Sequence, residues 1–124
     1  MPPPTTPTDP TAAEPGGDAD RYELQDRWLE LTRERLPAAA AAAARGGRGD
    51  RWPIRFDHCF MRVALDHVFG GCWYGHLNRR QRAYKQLDGA QLAAAVGHAE
   101  AMLAGGRPVV EAMNRRSLTW RGKA

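Results

Sequence analysis

Apolar residues recur at helical spacing in the first half of the chain. In DRYELQDRWLELTRERL, residues 20–36, Leu24, Trp28 and Leu31 fall at i, i+4 and i+7. This spacing puts them on one narrow stripe and predicts an amphipathic helix. Pro37 is expected to end this helix, because proline lacks the amide hydrogen that continues the hydrogen-bond ladder.

The next segment separates this helix from the rest of the chain. Residues 37–50 are an alanine run followed by the sequence GGRG. Alanine favours helix and glycine interrupts it, so we interpret 37–50 as an Ala/Gly-rich linker. The helix over 20–36 then either docks on the following domain through Trp28 or meets a partner, which leaves a homodimer through this helix open.

A helix that is apolar around most of its circumference is predicted at 58–69, HCFMRVALDHVF. Such a helix belongs at the centre of a fold. Asp57 is placed to cap its start by accepting from the amide of Cys59 or Phe60. A glycine pair that begins at Gly70 is expected to end it.

Three shorter elements are predicted after the central helix. Residues 72–87 are interpreted as a bend followed by a short basic helix. Asp88 and Gln91 have the spacing of a capping box, which opens a helix over 89–104. A last helix is predicted over 109–118, and the residues after it are expected to fray.

These patterns together predict an all-α fold, a small bundle of four to five short helices. The bundle is expected to occupy residues 51–124 as a basic helical domain. Residues 1–19 are rich in Pro, Thr, Gly and Asp. Burial there cannot offset the ordering entropy, so we predict a disordered N-terminal tail.

Length and composition exclude several classes of protein. The 124 residues suffice for one small domain. The chain has no run of about 18 apolar residues, so no transmembrane helix is expected. Its start lacks the basic and apolar regions of a secretory signal, and its two cysteines do not make a disulfide framework. We expect a cytoplasmic protein with no membrane partner and no cofactor.

The net charge of +4 conceals an asymmetry along the chain. Residues 51–124 carry twelve Lys or Arg against five Asp or Glu, a net charge of +7. A small domain with this charge attracts polyanions such as nucleic acid or an acidic protein surface. The alternative is a compositional bias towards arginine, which the abundance of Ala and Gly also fits.

Arginines and aromatic residues are interleaved in two segments of the predicted basic domain, residues 72–87 and residues 115–123. Arg and Lys contact phosphates, and Trp or Tyr rings stack on unpaired bases. A common patch requires that the two segments meet in space. The residues assigned to anion or nucleic-acid binding are Arg62, Trp73, Arg79, Arg80, Arg82, Lys85, Arg115 and Arg116, with Tyr74, Tyr84 and Trp120 interleaved and Arg121 and Lys123 beside them.

The polar residues of the central helix allow two interpretations. Arg62 and Asp66 are an i, i+4 pair and form either a solvated charged stripe or an anion site in which Asp66 orients Arg62. His67 falls within the apolar arc. A histidine there is either buried and hydrogen-bonded or functional.

His67, Cys72 and His76 are the candidates for chemistry. Their spacing suits three zinc ligands, with a fourth from Asp57, His58 or Cys59, but lacks a paired C-x2-C or H-x3-H signature. Cys72 with either histidine also suits a nucleophile and its base, which would make the chain a small Cys/His-dependent enzyme. No phosphate loop, GxSxG or HExxH motif accompanies them. The favoured function is therefore a small basic helical binding module for nucleic acid, with an acidic protein partner as the alternative.

Overall fold

A computed structural model describes residues 18–123, and every regular element in that range is helical, which confirms the all-α prediction. The elements are α1 (Asp18–Glu30), a π-helical turn (Leu31–Arg35), α2 (Leu36–Arg45), a 3-10 turn (Arg48–Asp50), α3 (Asp57–Phe69), a second 3-10 turn (Trp73–Gly75), α4 (Ala83–Gln86), α5 (Gly89–Gly105) and α6 (Arg107–Trp120). The predicted disordered tail lies outside the described residues, except that Asp18 and Ala19 belong to α1.

The first helix runs without a break from α1 through the π-helical turn into α2. The prediction that it ends at Pro37 is wrong. Pro37 is the second residue of α2, and α2 begins directly after the π-helical turn. The wider π turn loosens the ladder where the proline ring would otherwise press on the carbonyl four residues earlier. The alanine run then extends the helix to Arg45.

The long first helix contributes to the same core as the rest of the chain. Trp28 is 1% exposed, and Leu31 and Leu36 are fully buried. α1 packs against α5, as α3 does. Trp28 therefore docks on the chain itself, which confirms the first of the two alternatives, and its ring is not available to a second copy.

α3 is the central helix, as its apolar circumference predicted. Phe60 and Val63 are fully buried, and the helix ends at Gly70, which has the left-handed φ of 66°. The predicted Asp57 cap is wrong, because Asp57 lies inside the first turn and the amides of Cys59 and Phe60 bond to the carbonyl of Phe56. A carboxylate in that turn still complements the positive end of the helix dipole.

The capping box before α5 is confirmed. The Asp88 side chain accepts from the Gln91 amide at 2.7 Å, and the Gln91 side chain accepts from the Asp88 amide at 2.9 Å. Gly106, at φ 68°, then turns the chain into α6. α6 continues to Trp120, two residues past the predicted end, so the expected fraying does not begin at the predicted position.

Helices with both the length and the apolar character to cross a membrane are absent from residues 18–123.

Candidate anion-binding site

Asp66 is a fully buried carboxylate in the middle of α3. It accepts hydrogen bonds from the Trp73 amide at 3.0 Å and the Ser117 hydroxyl at 2.7 Å. Arg121 donates to both carboxylate oxygens, from Nε at 2.7 Å and from Nη2 at 3.0 Å. A buried charge must be paired in this way to be tolerated. The predicted solvated stripe of Arg62 and Asp66 is wrong, since the cation that pairs with Asp66 is Arg121.

Arg62 is half-buried, and its guanidinium contacts α6 and not Asp66. Its Nη1 donates to the Ser117 hydroxyl at 2.8 Å, and its Nη2 donates to the Asn114 side-chain oxygen at 2.7 Å. Both acceptors are neutral, and no carboxylate among residues 18–123 lies within ion-pair distance of Arg62. Arg62 is therefore a fixed positive charge without a paired negative one.

The Ser117 hydroxyl links the two arginines into one network. It donates its only hydrogen to Asp66 and accepts from Arg62. The hydrogen bond with Asp66 raises the pKa of Arg121 well above its usual range, so Arg121 stays charged. Arg121 binds the carboxylate directly and Arg62 reaches it only through the Ser117 hydroxyl, so two guanidinium groups stand against one carboxylate and the network retains one excess positive charge.

The two positively charged segments of the sequence meet at Tyr74. The guanidinium carbon of Arg79 lies 3.9 Å from the centre of the Tyr74 ring, and that of Arg121 lies 4.7 Å from the same centre. Tyr74 is 40% exposed. The Trp73 ring stands edge-on to it at 4.8 Å. We call Trp73, Tyr74, Arg79 and Arg121 the Tyr74 surface.

The position of this surface depends on the turn that follows α3. After the glycine pair the chain forms the 3-10 turn Trp73–Gly75, and the Trp73 amide is held by the Asp66 carboxylate. The turn that carries Trp73 and Tyr74 is therefore held by the same buried carboxylate that binds Arg121. One network fixes the turn, the end of α6 and the centre of α3 together.

A cleft of about 280 Å³ lies beside the Tyr74 surface. On the α3 side it is lined by Met61, Arg62 and Leu65, and on the other by Trp73 and Tyr74. His58 and Ala83 complete the lining. Arg62 brings a positive charge to a cleft that is lined mainly by apolar and aromatic side chains. Such a cleft suits a ligand in which an anionic group is attached to a flat or apolar group.

The remaining cationic residues assigned to binding are on the surface. Within the described part of the chain, none of them forms an ion pair, so their charges are available to a polyanion. Arg116 lies over the Trp120 ring at 5.7 Å, and the Lys85 carbonyl accepts from Arg21 at 3.1 Å. These exposed residues are Arg79, Arg80, Arg82, Lys85, Arg115 and Arg116.

His67 lies apart from the Tyr74 surface, in a contact between α3, α5 and α6. Its Nε2 is 3.1 Å from the Met113 carbonyl, so that nitrogen carries the hydrogen and donates. Its ring faces His98 at 5.5 Å and Trp120 at 4.9 Å between centroids. Burial, and then the charge of His67, lower the pKa of His98. The half-buried, hydrogen-bonded His67 has a packing role here.

The three candidates for chemistry have different neighbours. His76 stacks on the Phe69 ring at 4.5 Å, whereas Cys72 is a half-buried free thiol. Over residues 18–123, no hydrogen bond joins Cys72 to His67 or His76, and no three His, Cys, Asp or Glu side chains gather as metal ligands would. The geometry does not favour the zinc site or the thiol–imidazole pair.

Sequence reasoning missed the roles of Asn114 and Ser117, and treated Arg121 as part of a loose tail. A signal for them exists, because Asn114, Ser117 and Arg121 follow one another at i, i+3 and i+7 and share a helix face. Because a polar stripe on a helix usually faces solvent, this spacing alone does not identify the buried carboxylate that the stripe contacts. No family model matches this chain, and comparisons with curated proteins and with solved structures gave no match.

Proposed function

We propose that this protein is a small helical binding module for single-stranded nucleic acid. The observation that carries the proposal is the meeting of Arg79 and Arg121 on Tyr74, because these arginines come from the two segments that are rich in positive charge. Proteins that hold single strands combine positive charges for the phosphates with aromatic rings on which unpaired bases stack.

The charges around the Tyr74 surface support the proposal. The exposed arginines of both segments have no carboxylate partners in the described part of the chain, so a phosphate backbone meets no competing anion there. Residues 51–124 carry a net charge of +7, which favours association with any polyanion. Binding of this kind releases counterions and weakens as salt is added.

The aromatic contribution favours a single strand over a duplex. Bases in a duplex are stacked on one another and cannot reach a protein ring, whereas the bases of a single strand can. Arg79 covers Tyr74 but is exposed, and it forms no ion pair with any residue in the described range. It can therefore move from the ring to a phosphate, or stack its own plane on a base. Arg121 is fixed by Asp66 and stays in place.

Fluorescence anisotropy with labelled oligonucleotides of about 12 nucleotides tests the proposal, since known single-strand-binding folds cover about 4–16 nucleotides. The full chain should bind single-stranded DNA or RNA more tightly than duplex, and affinity should fall steeply between about 50 and 200 mM salt. Arg79→Gln should weaken binding. Arg45→Gln, which removes an exposed arginine at the end of α2, is the charge-matched control and should not.

Two outcomes contradict the proposal. One is the absence of binding to single- and double-stranded DNA and RNA at low salt. The other is binding of polyglutamate as tightly as of an oligonucleotide, because this would favour an acidic protein surface as the partner. Equal losses in Arg79→Gln and Arg45→Gln would separately show that the attraction is general and not centred on Tyr74.

A further inference from the structure

We infer that the cleft between α3 and Trp73–Tyr74 binds one mononucleotide unit, with the phosphate on Arg62 and the flat base against the aromatic wall. The inference rests on the proposed function and names the chemical group that this part of the surface takes. The inference depends on Arg62, which lines the cleft, whereas the proposed function depends on Arg79 and Arg121 at the Tyr74 ring.

Arg62 has the donors that a phosphate needs. A guanidinium carries five N–H groups, and Arg62 gives one to Ser117 and one to Asn114. The remaining N–H groups have no protein acceptor among the described residues. Arginine binds phosphate through paired N–H groups in a fixed plane, and the two contacts with α6 already hold this plane in place.

The electrostatic environment of Arg62 also favours an anion. Asp66, the buried acid of the network, is occupied by both nitrogens of Arg121 and separated from Arg62 by the Ser117 hydroxyl. The network therefore has an uncompensated positive charge at the cleft. Because Arg62 is half-buried, water screens this charge less than it screens the exposed arginines.

The other side chains that line the cleft determine which chemical group the bound anion can carry. Met61 and Leu65 give apolar contact on the α3 side, and Trp73 and Tyr74 give aromatic contact on the other. A volume of about 280 Å³ is close to the lower end of ligand pockets and suits one nucleotide rather than two. Bare phosphate would use Arg62 and leave these apolar walls without contacts.

Calorimetric titration of the full chain with three probes tests the inference. The probes are a pyrimidine nucleoside 5′-monophosphate, the matching nucleoside and inorganic phosphate. The monophosphate should bind more tightly than either fragment by about tenfold or more, since a hydrogen bond to a charged group contributes on that scale. Equal affinities for the monophosphate and the nucleoside would overturn the inference, as would the absence of monophosphate binding.

Two variants locate the binding. Arg62→Gln should reduce monophosphate affinity by about tenfold or more, whereas Arg45→Gln, which removes an exposed arginine outside the cleft, should not. Arg62→Gln also loses contacts with α6 and can unfold, so Ala83→Leu provides a second test. It adds bulk to the cleft lining and leaves the network intact. Unchanged affinity in Ala83→Leu would place the ligand elsewhere and overturn the inference.

The two proposals fail in different ways. If the oligonucleotide binds and the monophosphate does not, the cleft inference is overturned and the proposed function stands. If the monophosphate binds in the cleft and the oligonucleotide does not, the proposed function is overturned, and the cleft remains a site for a small phosphate-bearing ligand.

Discussion

Arg121, one residue past the end of α6, forms a bidentate ion pair with the fully buried Asp66 of α3. The Arg121 side chain is itself only 11% exposed. The pair joins the last helix to the central one, and Asp66 also holds the turn that carries Trp73. Folding and the candidate site therefore depend on the same carboxylate.

Removing Arg121 should destabilise the protein strongly. Arg121→Ala leaves Asp66 buried without its cation, and breaking a buried pair in this way costs about 3–5 kcal/mol of unfolding free energy. Arg115→Ala is the matched control, because Arg115 is an exposed arginine of α6 that forms no ion pair within residues 18–123, and its effect should stay within about 0.5 kcal/mol. Urea denaturation followed by circular dichroism measures both. Similar midpoints for the two variants would mean that Asp66 finds water or another cation.

Replacing Tyr74 by leucine should weaken the binding of single strands and affect duplex much less. Stacking on one aromatic ring contributes about 1–3 kcal/mol per base. Tyr74→Leu keeps all positive charges, so the dependence of affinity on salt should be unchanged while the affinity itself falls. Anisotropy titrations at several salt concentrations separate these two effects. An unchanged affinity would remove stacking from the proposed function and leave only phosphate contacts.

Stability should decrease at mildly acidic pH because of His98. Its pKa in the folded chain lies below the unfolded value of 6.5, through burial and the charge of His67. The unfolded chain therefore binds more protons in the interval between the two values. The free energy of unfolding should be constant above this interval, fall as the pH drops through it, and level off below it.

Variants of two histidines test the role of His98 in this pH dependence. Urea midpoints across about pH 5 to 8 follow the titration range of histidine. His98→Gln should flatten the decrease, because glutamine carries no proton in either state. His58→Gln should retain it, since the His58 side chain is 77% exposed. If His98→Gln and the unchanged protein lose stability in parallel, another group causes the dependence.

Residues 51–124 should not fold as an independent domain. Removing 1–50 takes Trp28, Leu31 and Leu36 out of the core, and all three are buried. The shorter chain should therefore lack a cooperative unfolding transition by calorimetry. Trp28→Ala in the full chain tests the same dependence with one change and should lower the unfolding free energy by about 3–5 kcal/mol. A sharp transition in 51–124 would show that the first helix is an accessory element.

Several features of the fold could be predicted because their causes are local. The end of α3 at Gly70 depends on a left-handed φ that glycine adopts easily, and the start of α5 depends on the reciprocal bonds of Asp88 and Gln91. The predicted bounds of α3 differ from the observed ones by a single residue. Helical spacing also identified α3 as the central helix, because its apolar residues cover most of its circumference.

Contacts between distant segments decided the remaining features. The spacing of Arg62 and Asp66 places them on one helix face but does not say what covers that face. The structure covers it with α6, which buries Asp66 and supplies Arg121 from 55 residues away. Pro37 was expected to end a helix, and packing of Leu36 and Ala40 into the core continues it instead. Intrahelical hydrogen bonds and backbone angles depend on nearby residues, and so can be inferred from the sequence. The partner of a buried charge depends on which helices pack together, and only the tertiary structure determines that.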